Sequence, residues 1–189
     1  MASSRYAYLV SQSRRHVPNI LSLLWLGMYA PDVSTYVPLY IASDRLPSPL
    51  VRGSMHAYTT DSIWWNFCVV GNYAARFYSF SMRPVRALQS SLELELQHSV
   101  DEVEAEALKV LRLAGRAQEA TGGGWSAIDA AASVASTKLL TAFTISTGEY
   151  VNQKWKEPFP LLLAQYRDGY VVNTEGPVVG LTRMFYPRW

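Results

Sequence analysis

The chain has 189 residues, the length of one domain, with 17 basic and 15 acidic residues and a net charge of +2. Charged residues make up 17% of it, against about 25% in a typical soluble domain, while apolar residues reach 49% and aromatic residues 13%. This composition excludes a disordered chain, and its scattered Arg and Lys, densest only at Arg14, Arg15 and His16, argue against a nucleic-acid partner.

The acid-free first 31 residues carry Arg5, Arg14 and Arg15 among several serines, a composition like a mitochondrial presequence. Tyr6, Tyr8 and Leu9, however, read as a strand. Cys68 is the sole cysteine, which excludes an internal disulfide. With no Asn-x-Ser/Thr sequon, an intracellular location is expected: mitochondrial if the N-terminus is a presequence, otherwise cytoplasmic. The longest charge-free runs, Val17 to Pro31 and Ser62 to Ala75, are shorter than the roughly 18 residues of a membrane span.

One domain over 1–189 is expected, mainly α with a small β part, in three zones. In the first, 1–58, the apolar runs Leu23–Met28 and Thr35–Ile41 flank the Pro31-Asp32 turn signal and predict a hairpin. Ser43–Gly53, with Pro47 and Pro49, predicts an extended surface connection. The second zone, 59–169, is helical. A helix over about 61–82 starts after Thr59 or Thr60, is apolar nearly all round and stops before Pro84.

Pro84 opens a second helix, about 84–118, in which Val85, Leu88, Leu92, Leu96, Val100, Val103, Ala107 and Val110 recur at steps of three and four. Glu93, Glu95, Asp101, Glu102, Glu104 and Glu106 form its solvated face. Gly122 to Gly124 is a hinge, since it follows a helix and lacks the Lys-Ser/Thr of a phosphate loop. Ser126 caps a helix over about 126–157, and a shorter one covers 159–167. The third zone, 170–189, is an extended aromatic tail.

Chemistry is sparse. His16 and His56 lie 40 residues apart and His98 in the second zone, with no second histidine or thiol at ligand spacing, so no metal site and no cofactor are expected. Cys68 lies inside an apolar helix and not at its N-terminus, which makes it a small buried hydrophobe. Asn72 and Arg76, four residues apart, share a helix face and suit a substrate carboxylate or amide; a buried structural pair is the other reading.

The order of several blocks carries a resemblance. Val17-Pro18-Asn19-Ile20-Leu21, Leu24-Trp25-Leu26-Gly27 and Tyr36-Val37-Pro38-Leu39-Tyr40 are followed by Asp61-Ser62-Ile63-Trp64-Trp65-Asn66-Phe67 and Gly71-Asn72-Tyr73-Ala74-Ala75-Arg76. Gln89 to Glu95, Trp155 to Tyr170 and Tyr186-Pro187-Arg188-Trp189 continue the order. Together they resemble, over about 16–189, the C-terminal portion of the cysteine dipeptidases of the dipeptidase A type, relatives of the secernins.

The resemblance implies an N-terminal-nucleophile hydrolase fold, a four-layer αββα sandwich, in which an N-terminal cysteine attacks a peptide carbonyl with its own amine as base. No cysteine precedes Cys68, and the nucleophile is carried to no position of this chain. Asn72 and Arg76 match the family block without an assigned role. The implied reading is a dipeptidase-like domain, non-catalytic by itself, serving as a structural or interaction subunit of a larger complex; the alternative is part of an active dipeptidase whose nucleophile lies on another segment or chain. The helix at Ser62–Tyr78 is then expected to turn a bare apolar face to a protein partner through Trp64, Trp65 and Phe77.

Overall fold

The computed structural model describes residues 7–15, 17–121, 125–168, 170–173 and 180–183, and the side chains among them outside 114–132 and 173–183. It is mainly helical with two small antiparallel sheets, an α+β arrangement. The first sheet has the order β1 (Tyr8–Gln12), β2 (Leu23–Gly27) and β3 (Val37–Tyr40), with Val10 opposite Trp25 and Trp25 opposite Pro38. The predicted hairpin is thus β2–β3, and the strand read near Tyr8 is β1. Alternation sends side chains to both faces. Leu23 and Tyr40 join one core with Val100, Val103 and Leu140, while Val37 and Leu39 join another with Ile63, Phe67 and Trp155.

Ser43–Gly53 departs from the extended expectation. Ser48–Val51 forms a helical turn, α1, because a proline in the first turn has its φ set for a helix and needs no amide hydrogen there. Helix α2 (Ile63–Ala74) then runs into a 3-10 turn at Ala75–Phe77, and α3 follows over Tyr78–Thr121. The helix boundary expected at Pro84 therefore lies at Ala75–Phe77, and Pro84 sits inside α3.

Hydrogen bonding accounts for this. A proline within a helix leaves the carbonyl four residues earlier without its donor. That carbonyl belongs to Phe80, and the Tyr166 hydroxyl donates to it at 3.3 Å. At the break itself, the buried Ser81 hydroxyl lies 2.9 Å from both the Ala74 and the Phe77 carbonyls.

Helices α3 and α4 (Trp125–Trp155) form an antiparallel pair: Val100, Val103 and Ala107 meet Leu140, while Leu92 and Leu96 lie in the core with Val151 and Trp155. The predicted stripe on α3 is its buried face. The predicted solvated face needs one correction. Glu104 is buried, accepts from Arg14 and from the Tyr40 hydroxyl at 3.3 Å, and ties the segment after β1 to α3. The hydrogen bond with Glu104 raises the Arg14 pKa, and burial, reinforced by the same carboxylate, pushes the Tyr40 phenol well above its usual value near 10.

Helix α5 (Pro158–Gln165) gives way to β4 (Tyr166–Arg167), so the helix expected over 159–167 stops two residues sooner. β5 (Tyr170–Asn173) and β6 (Gly180–Arg183) complete an antiparallel sheet in the order β4-β5-β6, with Asp168 at φ 54 in the tight turn, a conformation that Asp tolerates. The glycine hinge at 122–124, the Ser126 side chain, the closing residues 184–189 and His16 lie outside the described residues.

Two predictions follow from these bonds. Tyr166→Phe should cost about 0.5–1.5 kcal/mol in urea unfolding. Its cost should shrink by more than half when combined with Pro84→Ala, which returns an amide donor to Phe80. The second concerns alkaline pH. Because the folded-state pKa of Tyr40 lies above the unfolded one, its contribution is complete below about pH 10 and is lost as pH rises. Stability should fall between about pH 10 and 12, and less steeply in Tyr40→Phe.

Candidate functional site

Helix α2 positions most of the residues singled out above. Seven of its twelve residues are buried, including Ile63, Phe67, Cys68 and Ala74. α4 and α5 of the same chain cover much of the apolar face expected to be bare on this helix: the Phe67 and Trp155 rings pack edge to face at 4.7 Å, and Tyr73 packs on Phe159 at 5.9 Å. At its start the side-chain amides of Asn66 and Asn152 share a 2.7 Å hydrogen bond, and Asn66 also donates to the Thr60 carbonyl at 2.9 Å. Asp61 is exposed, 3.6 Å from Lys156, and the residue preceding the first turn is Ser62.

Asn72 and Arg76 are both exposed. Asn72 donates to the Cys68 carbonyl at 2.8 Å and lies 3.2 Å from its sulfur. Arg76 falls in the 3-10 turn beyond α2. Its charge therefore meets solvent, and the buried structural pair does not form. Asn72, without Arg76, borders a cleft of about 150 Å³ between the turn after β2 and the outer side of α2, walled by Tyr29, Asp32, Gly71 and Tyr78.

Tyr29 gives this cleft its shape. Its φ is 82, a left-handed conformation that costs a bulky residue roughly 1–3 kcal/mol. The surrounding packing holds it: its ring meets Trp64 edge-on at 6.1 Å and lies over Gly71, where a Cβ would come within 2.7 Å of the ring. A glycine inside a helix is the sequence signal for such close approach.

The cleft presents hydroxyls, one amide and one carboxylate, a set that holds a small polar group by hydrogen bonds. It offers no thiol. Cys68 is 4% exposed and packs in the core with Phe67 and Val70. His56 is exposed in the loop before α2, and His98 pairs with Glu102 at 3.2 Å on α3. Among the described residues, no three His, Cys, Asp or Glu groups are placed to hold a metal ion.

The three residues expected at a partner interface separate into two places. Trp64 and Trp65 lie together at the start of α2, half-buried, with rings edge to face at 4.8 Å. Trp65 continues onto Tyr58 at 5.8 Å, and its indole donates to the Ser54 carbonyl at 2.8 Å. Phe77 is at the other end of the helix, against Tyr73 and Tyr166. Around the tryptophans the end of α1 and the loop to α2 expose Val51 (64%), Met55 (72%) and Tyr58 (52%) beside a cleft of about 270 Å³. The apolar character of the helix pointed to the tryptophans; this loop, whose apolar residues have no period, gave no such signal.

No protein-family model matches the chain, and no curated protein matches it. No helix among the described residues is long and apolar enough to cross a membrane.

Gly71→Ala tests the Tyr29 contact. The added methyl must displace the Tyr29 ring or the Val33 side chain, each within 2.7 Å of it. The variant should lose about 1–3 kcal/mol in thermal or urea unfolding, with a changed near-ultraviolet tyrosine and tryptophan signal.

Proposed function

We propose that this chain is a dipeptidase-like domain of the N-terminal-nucleophile hydrolase type that has no nucleophile of its own and serves as a structural or interaction subunit of a larger complex. The order of the sequence blocks supports the family reading, including the layered αββα architecture that it implies. The burial of Cys68 supports the non-catalytic one, since a thiol sealed in a core attacks nothing. The observation that carries the interaction role is the apolar surface of Val51, Met55 and Tyr58 around the half-buried tryptophans of α2. Clustered exposed apolar residues of this kind mark protein-binding surfaces. Trp65, fixed by its bond to Ser54, is the rigid aromatic anchor such surfaces use.

The test is native mass spectrometry of the gently purified particle, reading its mass and the N-termini present, with a parallel assay of dipeptide hydrolysis. The reading predicts this chain in stoichiometric complex with other chains, no hydrolysis, and release of the chain by the double substitution Met55→Glu, Tyr58→Glu. A co-purifying chain with an N-terminal cysteine, together with cleavage of dipeptides by the pair, would overturn it in favour of a split active dipeptidase.

A further inference from the structure

The two edges of the first sheet are finished differently. On the β3 side, Pro38 has no amide hydrogen to present, and the Tyr40 amide donates to the Thr144 hydroxyl of α4 at 3.3 Å. The Asp44 amide beyond it donates to Thr141 at 2.9 Å, and the Tyr36 amide before it to Glu93 at 3.4 Å. That edge is closed by the chain's own side chains. On the β1 side the described residues supply no such closure. Tyr8–Gln12 contains no charge and no proline, and no described strand pairs with its outer side. Leu9 is 61% exposed and Val10 53% exposed; as neighbours in a strand they point to opposite faces of the sheet.

A strand with apolar residues bare on both faces is typical of sheet interiors, not edges. On the helix side, Val10, Trp25 and Tyr36 line an open cleft of about 230 Å³ that ends at Glu93 and Gln97. The cleft has room for one aliphatic side chain beside the Glu93 carboxylate, whose Oε1 accepts from the Tyr36 amide and the Gln89 side chain and whose Oε2 retains acceptor capacity.

We propose that the outer edge of β1 receives a strand from another polypeptide, apolar on both faces, with a Lys or Arg on the helix side beside Glu93. Main-chain hydrogen bonds to β1 supply affinity, and the cleft with its carboxylate supplies selectivity. The partner is a different chain from this one, because a second copy of Tyr8–Gln12 has no cation to set against Glu93. This inference rests on the reading of the chain as an interaction subunit and names the chemistry of one partner segment.

The probe is the labelled peptide acetyl-Thr-Val-Leu-Val-Lys-Val-Thr-amide, titrated against the full chain by fluorescence anisotropy. Saturable binding is expected, at least tenfold weaker when Glu replaces the peptide's Lys and lost when Pro replaces its central Val. Glu93→Gln should bring the Lys preference below threefold. Leu9→Lys should abolish binding while leaving the melting curve and near-ultraviolet spectrum unchanged. Absence of binding, equal binding of the Lys and Glu peptides, or a homodimer in native mass spectra that Leu9→Lys dissociates would each overturn the proposal. Any of these outcomes leaves the stoichiometric complex predicted above standing, so the two readings fail separately.

Discussion

The fold converges on the indole of Trp155. It is fully buried, packs edge to face on Phe67 at 4.7 Å, and donates from its ring nitrogen to the Thr35 hydroxyl at 2.8 Å. Those contacts join the end of α4 to the middle of α2 and to the strand entering the sheet. A tryptophan in this position buries a large apolar body yet must satisfy one donor. The buried Thr35 hydroxyl meets that requirement, and it fixes the depth and rotation of α4 against β3. Leu92 and Leu96 of α3 and Val151 of α4 close the same cluster. Trp155 thus holds the sheet, α2 and the long helical pair in one body.

From that core the surfaces follow. Because α2 is gripped by α4 and α5, its exposed residues are confined to its two ends and to the outer strip with Asn72. The left-handed Tyr29 is tolerated because Gly71 leaves room for its ring. Beyond the far end of α2, the Tyr166 hydroxyl covers the carbonyl freed by Pro84, so the small sheet β4-β5-β6 is attached where α3 is weakest in its own hydrogen bonding. The proline is accommodated by a contact to Phe80 from a residue 86 positions further along the chain.

Periodic features were legible in the sequence. The α3 stripe from Val85 to Ala107, the hairpin of Leu23–Gly27 with Val37–Tyr40, and the buried character of Cys68 were all set by local patterning. What local patterning misses is compensation supplied from elsewhere. Pro84 reads as a helix start because nothing nearby shows that Tyr166 will answer for its missing amide. Glu104 reads as solvated because its neighbours on the helix are acids, whereas its partner Arg14 lies 90 residues away. Arg76 reads as a charge within an apolar helix, yet the turn at Ala75–Phe77 releases it to solvent. The bare face that the resemblance implied for α2 is largely covered by α4 and α5, with Trp64, Trp65 and Phe77 left half-buried. Apolar surface exists, but at β1 and on the α1–α2 loop, segments too short to show a period.

Among the described residues the chain folds around its own core and leaves the outer edge of β1 unpaired. Amide hydrogen exchange on the full chain, without partner, tests it most directly. The Tyr40 and Thr144 amides and those of α4 near Trp155 should exchange slowest, and the alternate amides of β1 that point away from β2 should exchange at rates near those of an unpaired strand. Uniformly slow exchange along Tyr8–Gln12 in the monomer would show that edge already covered, and would contradict the claim.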